Sequence, residues 1–455
     1  MMDGIKKTDV LIVGSGYAGL SAAIEARLAG ASVLIVEKMA APGGNSIISD
    51  GGIAAVHTDE QNAQGITDSV ELMVADMRKA AQYRSDPQLV QRVCEESRRV
   101  FEWTKDFFDM HYRPRIEIFG GHSVPRCHTP TSVKGVDLLL KMVKKCEELG
   151  IPLIKKCSVT KINIEDDRVI GVEAEHDGEV VQIMIDKALV IASGGFGADV
   201  EFRKKLDGRL DESVGTTNKL SADSSLLQEC MRIGAQTVDL DCIQCGPWAS
   251  IDEKGFGLGP LFGDYVVFPY GILISRKTSR RFVNELADRK IISDKMFDQN
   301  EWVLGLADAQ GMDTGGWDLS LAIKRNIVRP FASLEQIADE FGLDEAVFSD
   351  EVSRYNAMML KGKDDDFDKM ITQDMKPITQ PPFYIMRMWP KVHTTLGGLK
   401  IDLQARVLNM ENRPILKLFA AGEVTGGIHG ASRLGSCAIT ECLVMGRIAG
   451  QNAAK

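Results

Sequence analysis

The stretch that decides the fold is DVLIVGSGYAGLSAAIEARLAGASVLIVEK, residues 9–38. An apolar, β-prone run precedes Gly14, Gly16 and Gly19, a helical pattern follows, and a second apolar run ends at Glu37. In such a βαβ unit the first glycine permits a tight turn, the second admits a pyrophosphate, and the third lets the helix pack on the strand. The helix N-terminus offers N–H groups to phosphate, and an acid about 20 residues further on binds a ribose hydroxyl. The stretch predicts a dinucleotide-binding α/β domain.

Further glycine-rich stretches favour FAD over NAD as the dinucleotide. APGGNS (41–46) and SDGGIAA (49–55) follow the acid directly, an arrangement typical of FAD domains. ALVIASGGFG (188–197) and LKLFAAGEVTGG (416–427) each read as a strand that ends in glycines, and Glu423 is placed to hydrogen-bond a ribose or ribityl hydroxyl. Because parts of one nucleotide site lie at both ends of the chain, another domain is inserted between them.

The residues predicted to bind FAD come from these stretches and from neighbouring segments. They are Gly14, Gly16, Ala18, Gly19, Glu37, Lys38, Gly43, Gly44, Asn45, Ser46, Gly51, Gly52, Val159, Ala192, Ser193, Gly194, Asp223, Gly422, Glu423, Ser436, Ala438 and Ile439.

The middle of the chain lacks the βα alternation of its ends. The predicted fold class is α/β, in which residues 1–237 and 386–455 form a Rossmann-like FAD-binding domain and residues 238–385 form an α+β capping domain. Within the cap, residues 333–359 read as two short amphipathic helices. The acidic stretch GKDDDFDKM, residues 362–370, reads as a solvated turn.

Composition and charge exclude several other classes of protein. The net charge of -10 argues against a general role on nucleic acid or at a membrane surface. No apolar run approaches the roughly 20 residues that span a bilayer, and a strand pattern begins too early for a signal peptide, so a cytoplasmic location is expected. The nine cysteines are scattered, and the one close pair, Cys242 and Cys245, lacks the second pair that a zinc site needs. No metal site is predicted.

Five stretches resemble the flavoprotein subunit family of fumarate reductase, succinate dehydrogenase and L-aspartate oxidase, and most of all its soluble flavocytochrome c branch, which includes fumarate and urocanate reductases. They are GSGYAG, GGNSIISDGG, ASGGFG, SRRFVNELADRK with HTTLGG, and AAGEVTGGIHGASRLG. The resemblance implies a mobile cap that meets the flavin at the active site. Covalently flavinylated members carry a histidine where this chain has Asn45, so noncovalent FAD is implied. No haem domain is visible, so electrons are expected from, or passed to, a separate protein or domain.

The resemblance also implies which residues carry the chemistry. Arg433 matches the arginine that clamps the substrate carboxylate, and the helix that starts near Ser436 would favour the reduced flavin anion through its dipole. Arg289 matches the proton donor, an unusual role because the guanidinium pKa exceeds about 12; Glu285 and Asp288 are its expected acidic partners.

Histidines near these arginines are further candidates. His393 keeps the first histidine of the family's HHTMGG-like stretch, and His429 precedes Arg433 by four residues, where it would orient that arginine or contact the flavin. His122, Arg126 and His128 resemble a family stretch that faces FAD.

One part of the family pattern is missing. Fumarate reductases hold a second carboxylate with a histidine that corresponds to Gly246 here, and with a threonine–glutamate pair that corresponds to Asp264 and Tyr265. Phe268 stands in place of a relay arginine. The aromatic or polar bulk at these and neighbouring positions, Trp248 and Tyr270 included, predicts a 2-enoate with one carboxylate, such as urocanate, an arylacrylate or a methacrylate-like acid.

Two functions from this superfamily remain open at the level of sequence. The first is an FAD-dependent 2-enoate reductase that transfers a hydride between flavin N5 and a carbon–carbon double bond, with Arg289, Arg433 and His393 at the site. The alternative is an FAD-dependent dehydrogenase of a cyclic ketone, keto acid or steroid, in which Tyr265 or Tyr270 acts as acid or base. A third class, a non-catalytic flavin-binding or electron-relay protein, leaves both arginines without a task. A monomer is expected.

Overall fold

The computed structural model describes residues 7–455. Residues 1–6, which bear on the expectation that no leader is present, lie outside the described residues. The chain divides into two compact units. The first combines residues up to 211 with 218–244 and 394–455, and the second combines 212–217 with 245–393. The predicted boundaries at 237/238 and 385/386 remain predictions.

The first unit is built on an eight-stranded, mainly parallel sheet. Lys7–Val13 lies between Val33–Glu37 and Glu179–Ile191 and pairs parallel with both, and Pro414–Ala420 pairs parallel with the last of these. All five residues of Val33–Glu37 are buried, as expected for parallel strands covered on both faces. The α/β class predicted from residues 9–38 is confirmed.

Four further strands complete that sheet, and the other elements of this unit lie outside it. Its remaining strands are Ile53–Ala54, Tyr112–Glu117, Cys127–Pro130, Leu153–Lys155, Cys157–Glu165, Arg168–His176, Thr237–Val238, Gly398–Leu399 and Arg406–Leu408. Its helices are Tyr17–Leu28, the 3-10 turn Gly44–Ile48, Asp59–Ala63, Val70–Ala80, Pro87–Phe108, Gly135–Glu148, Val200–Leu206, Ser225–Arg232 and Cys437–Ala453.

The first and last helices of the unit pack together and join the two ends of the chain. Tyr17–Leu28 presents small buried side chains that let Cys437–Ala453 approach closely. Arg447 donates from Nε to Glu25 Oε1 at 2.6 Å across this contact. Within residues 7–455, no helix is both long and apolar enough to cross a membrane.

The second unit is a small four-stranded sheet with short helices. Its strands are Ile272–Ile274, Val303–Ala307, Arg329–Phe331 and Phe383–Met388, all paired antiparallel. Its helices are Gly259–Phe262, the π-helical turn Gly263–Val267, Phe268–Tyr270, Arg289–Phe297, Ala309–Gly315, Ser320–Lys324, Leu334–Phe341 and Glu345–Lys361. The last two confirm the pair predicted for residues 333–359. The chain passes between the units within the strands Ile243–Gly246 and Lys391–Thr395.

A buried charge cluster in the second unit corrects the prediction that residues 362–370 form a solvated turn. Asp364 and Lys369 are both buried. Arg281 donates from Nη2 to Asp364 Oδ2 at 2.9 Å and to Glu285 Oε2 at 2.8 Å, and Lys369 donates from Nζ to the Gly271 carbonyl at 2.6 Å. The burial of Asp364 was missed because its partner cation, Arg281, lies 83 residues away in the sequence.

Arg281→Ala is expected to destabilise the protein by about 3–5 kcal/mol, because it leaves two carboxylates buried without their cation. Arg280→Ala is the matched control, since the Arg280 side chain is 41% exposed and pairs with the exposed Asp350 and the buried Glu351, so solvent reaches this guanidinium but not that of Arg281. The measurement is the midpoint of thermal and denaturant unfolding for both variants. Equal shifts in the two midpoints would contradict a structural role for the buried cluster.

Candidate functional site

The first unit contains a cleft at the carboxyl ends of its parallel strands. Four neighbouring strands end at Val13, Glu37, Ile191 and Ala420, and the residue after each of them lines the cleft. Ligands of open α/β sheets bind outside the carboxyl ends of the strands. The cleft therefore lies where the predicted dinucleotide site is expected.

The glycines of the first turn occupy places that no side chain fits. Gly14 has a φ of +105°, and a Cβ there would lie 2.2 Å from the Ala192 carbonyl oxygen. A Cβ on Gly19 would lie 2.0 Å from the Gly14 carbonyl oxygen, so the helix packs directly on the turn. Gly16 precedes the helix Tyr17–Leu28 with no side-chain cap of its own. This open backbone cradle fits the pyrophosphate of a dinucleotide.

The acid at the end of the second strand organises the loop beside the cradle. Glu37 is buried, and its Oε2 accepts hydrogen bonds from Ser15 N at 3.1 Å and Ser15 Oγ at 2.6 Å. Its Oε1 accepts from Met39 N at 2.9 Å. Lys38 pairs with Asp223 at 2.7 Å, so the two residues predicted to contact the nucleotide meet at the cleft.

Most of the residues predicted to bind FAD line this one cleft. They are Gly14, Gly16, Ala18, Glu37, Lys38, Gly43, Gly44, Asn45, Ser46, Val159, Ala192, Ser193, Gly194, Asp223, Gly422 and Glu423. Lining residues absent from the prediction include Ser15, Ser158, Ser221 and Cys442. Cys442 could have been predicted, because it follows the predicted residue Ala438 by four positions, and residues four apart lie on the same face of a helix.

Two buried glutamates lie behind the last strand of the cleft. Glu423 Oε1 accepts from Thr395 N at 2.9 Å, and burial raises the pKa of Glu423. Glu441 Oε1 accepts from Gly422 N at 3.1 Å, and burial raises the pKa of Glu441 to about 7. Both carboxyl groups thus hold the turn that follows Ala420, and Glu423 also lines the cleft.

The remaining predicted flavin residues gather where the last helix begins. Ser436 precedes Cys437–Ala453 with a φ of +62°, and a Cβ on Gly52 would lie 2.7 Å from its Oγ. Thr440 Oγ1 donates to the Ala54 carbonyl at 2.8 Å and accepts from Ala54 N at 3.0 Å. This brings Gly51 and Gly52 to the helix start that also carries Ala438 and Ile439, so the helix N-terminus and this glycine-rich stretch lie together.

Arg433 lies in this same region and is 6% exposed. It donates from Nη1 to the Leu434 carbonyl at 3.2 Å, and its own carbonyl accepts from Gln244 Nε2 at 3.1 Å. His429 is buried, and burial together with the Arg433 charge lowers the pKa of His429 to about 3. His429 is therefore neutral at pH 7.

His122, Arg126 and His128 are buried side chains with protein partners. Arg126 pairs with Asp68 at 2.9 Å and with Asp76 at 2.6 Å. His122 donates from Nε2 to the Gly435 carbonyl at 3.0 Å, and burial and Arg126 lower the pKa of His122 to about 4. The His128 ring stacks on Phe101, with centroids 4.2 Å apart. His122 thus supports the Gly435 segment, and Arg126 and His128 are held by other parts of the protein.

In the second unit, Arg289 pairs with an acid that the sequence did not indicate. Its Nη2 donates to Asp264 Oδ2 at 2.7 Å, and the two side chains are 12% and 11% exposed. The expected partners were wrong. Glu285 is held by Arg281, and Asp288 caps the helix Arg289–Phe297 by accepting from Lys290 N and Ile291 N.

The other predicted catalytic residues of this unit also have protein contacts. His393 Nδ1 lies 2.9 Å from Thr217 Oγ1, and its ring meets the Trp248 indole edge-on, with centroids 4.8 Å apart. Tyr270 is buried and donates its hydroxyl to Asp374 Oδ2 at 2.8 Å. Tyr265 is buried against Trp317, with ring centroids 4.8 Å apart.

One group of possible metal ligands occurs among residues 7–455, namely Asp239, Asp241 and Cys242. Arg84 donates from Nη2 to Asp239 Oδ1 at 2.9 Å and to Asp241 Oδ1 at 2.7 Å. The guanidinium thus already bridges both carboxylates. Cys242 is a buried thiol.

The cleft and its glycine cradle define a dinucleotide-binding flavoprotein, and sequence comparison identifies the family. A model of the FAD binding domain family matches residues 9–439, so the chain belongs to that family and is an FAD-binding oxidoreductase. It is 37% identical to the acrylate reductase flavoprotein subunit of Shewanella woodyi, over 98% of this chain and 90% of that protein. It is 33% identical to the urocanate reductase of Eggerthella lenta, over 98% of this chain and 74% of that protein.

Solved structures agree with the family. The open conformation of a flavocytochrome c3 fumarate reductase matches with a TM-score of 0.79 and 31% identity, over 99% of this chain and 78% of that chain. A 3-ketosteroid-Δ4-(5α)-dehydrogenase from Rhodococcus jostii RHA1 matches with the same TM-score and 24% identity, over 99% of this chain and 97% of that chain. The second likeness shows the fold alone.

Gly14→Ala is expected to lower FAD affinity by at least about tenfold, or about 1.4 kcal/mol, because its methyl group collides with the Ala192 carbonyl. Gly30→Ala is the control, since Gly30 also has a positive φ, +93°, but has no atom within 4 Å of the added Cβ. The ratio of flavin to protein absorbance in purified protein measures the difference. Equal flavin content in the two variants would contradict the steric argument.

Proposed function

We propose that this protein is an FAD-dependent 2-enoate reductase whose substrate carries a single carboxylate. Family membership supports FAD chemistry, and the names of the relatives from Shewanella woodyi and Eggerthella lenta support reduction of an unsaturated acid. The observation that carries the proposal is the Arg289–Asp264 pair, a guanidinium joined to a carboxylate at 2.7 Å. Such a pair suits a proton donor that must be reprotonated after each turnover.

The proposed chemistry adds one hydride and one proton across the double bond. Reduced FAD bound in the cleft would supply the hydride to the carbon β to the carboxylate. Arg433 holds that carboxylate through its planar guanidinium fork and stabilises the negative charge that develops on the substrate. Arg289 then delivers a proton to the α carbon, and a proton from solvent returns to Arg289 through Asp264. The guanidinium is a weak acid, so this step requires the strongly basic carbanion of the substrate as acceptor.

The cofactor is proposed to be noncovalent. Asn45 lines the cleft at the position where flavinylated relatives carry a histidine. Its Nδ2 donates to Asn218 Oδ1 at 2.5 Å, and its Oδ1 accepts from Lys219 N at 2.9 Å. A side-chain amide held in this way offers no nucleophilic ring nitrogen for a bond to the flavin.

The remaining assignments are proposals of the same kind. The protein would be a cytoplasmic monomer that receives electrons from a separate donor protein. The name of the Shewanella woodyi relative, a flavoprotein subunit, is compatible with a separate electron source. The net charge of -10 does not favour nucleic acid as a partner.

Desaturation of a cyclic ketone is supported less well. That reaction needs a tyrosine as acid or base, and Tyr270 donates its hydroxyl to Asp374 while Tyr265 is buried against Trp317. No specific observation favours this alternative beyond the shared fold.

The two arginines should give different kinetic signatures with acrylate as substrate. Arg289→Gln is expected to lower kcat by at least about a hundredfold with FAD retained, because it removes the proton donor. Arg433→Gln is expected to raise KM at least about tenfold, because it removes the carboxylate clamp. Steady-state kinetics with a reduced dye as electron donor measures both values.

Arg276→Gln is the matched control, because Arg276 lies in the same unit as Arg289 and pairs with Glu301. Its kcat and KM should match those of the wild type. An unchanged kcat in Arg289→Gln would rule out the proton-donor role, and an unchanged KM in Arg433→Gln would rule out the clamp.

A further inference from the structure

The Trp248 indole forms one wall beside the two residues of the second unit that carry the proposed chemistry. Its ring meets the His393 imidazole edge-on, with centroids 4.8 Å apart and an interplanar angle of 79°. The Arg289 guanidinium carbon lies 5.6 Å from the centroid of the indole, within cation–π range. Trp248 therefore borders the predicted proton donor, Arg289, on one side and the predicted site histidine, His393, on the other.

Two glycines make room for this indole. A Cβ on Gly246 would lie 2.7 Å from Trp248 Cζ2 and 2.8 Å from Cη2. A Cβ on Gly263 would lie 2.6 Å from Trp248 Cβ. Gly246 is the position where fumarate reductases carry the histidine for the second carboxylate, so the indole and a side chain at 246 exclude each other.

The indole is held firmly in this place. Trp248 is 2% exposed and packs within a buried cluster that includes Phe262, Val266 and Met386. Its other neighbour, Phe256, lies with its ring centroid 5.4 Å away. Displacing a ring that is packed on several sides costs free energy, because protein interiors are close-packed.

We propose that Trp248 limits the size and charge of the group on the β carbon of the substrate. The inference rests on the proposed 2-enoate reductase function and narrows it to small monocarboxylates of the acrylate class, with hydrogen or methyl on the β carbon. A second carboxylate is excluded because the indole occupies the space that a side chain at position 246 would need, and that is where fumarate reductases carry the histidine for this carboxylate. A ring is excluded because the indole already occupies the volume beside His393 and Arg289.

Trp248→Ala tests the proposal through a series of acids with a growing β substituent: acrylate, crotonate, 2-pentenoate and cinnamate. The quantity measured is kcat/KM for each acid divided by kcat/KM for acrylate. Wild type is expected to disfavour cinnamate, and the variant to raise the cinnamate ratio at least about tenfold, since pocket volume worth a methylene changes specificity by about 10–200-fold. Taking ratios within one variant cancels any loss of folded enzyme.

Trp248→Phe is the control that keeps most of the ring volume and removes the indole N–H. It should retain the preference for acrylate. Cinnamate ratios that agree within twofold in wild type and Trp248→Ala would overturn the proposal, as would a wild type that prefers cinnamate.

Failure of the proposed function is distinguishable from failure of this inference. If wild type reduces none of the acids, the proposed reductase function is wrong. The size limit set by Trp248 is then tested by measuring ligand affinity instead of turnover. Propionate and 3-phenylpropionate would be titrated against the flavin absorbance of wild type and Trp248→Ala. A gain in relative affinity for 3-phenylpropionate of tenfold or more in the variant supports the size limit, and a smaller gain overturns it.

Discussion

The architecture depends on how closely two backbone turns approach at the carboxyl edge of the main sheet. Gly14 follows the first strand and faces the carbonyl of Ala192, which follows the strand that pairs with it, with room for a hydrogen atom only. That approach joins a turn near the N-terminus to one about 180 residues later, and Gly422 adds a third turn to the same edge. The cleft exists because these turns converge.

Arginines serve two purposes in the second unit, and burial separates them. Arg281 and both of its carboxylate partners have no exposed side-chain surface, and the charges balance within the protein. Arg289 retains 12% exposure, donates to Asp264 at 2.7 Å, and has its guanidinium carbon 5.6 Å from the centroid of the Trp248 indole. A fully enclosed cluster stabilises the unit, whereas a partly accessible guanidinium beside a carboxylate is what the proposed proton donor requires.

Local patterns in the sequence predicted the cofactor cleft well. The glycine spacing, the helix that follows it and the acid at Glu37 all lie within residues 9–38, and the later stretches 188–197 and 416–427 each contain the end of a strand, Glu179–Ile191 and Pro414–Ala420. The charge partners were harder, because pairing between distant segments has no local signature. Asp264 lies 25 residues from Arg289 in the sequence, whereas Glu285 and Asp288 lie much nearer and were therefore predicted as its partners. In the structure, Glu285 pairs with Arg281 and Asp288 caps a helix. The close contact between the Trp248 ring and Gly246 likewise could not be predicted from the sequence.

Anaerobic reoxidation of the reduced flavin tests the central claim most directly. The protein-bound FAD would be photoreduced without oxygen, mixed with acrylate or with fumarate at equal concentration, and followed by flavin absorbance. The account predicts rapid return of the oxidised spectrum with acrylate and a rate at least about tenfold lower with fumarate, because the proposed site has one carboxylate clamp, Arg433, and Trp248 would fill the place of a second. If no enoate reoxidised the flavin, or if fumarate did so as fast as acrylate, the account would be contradicted.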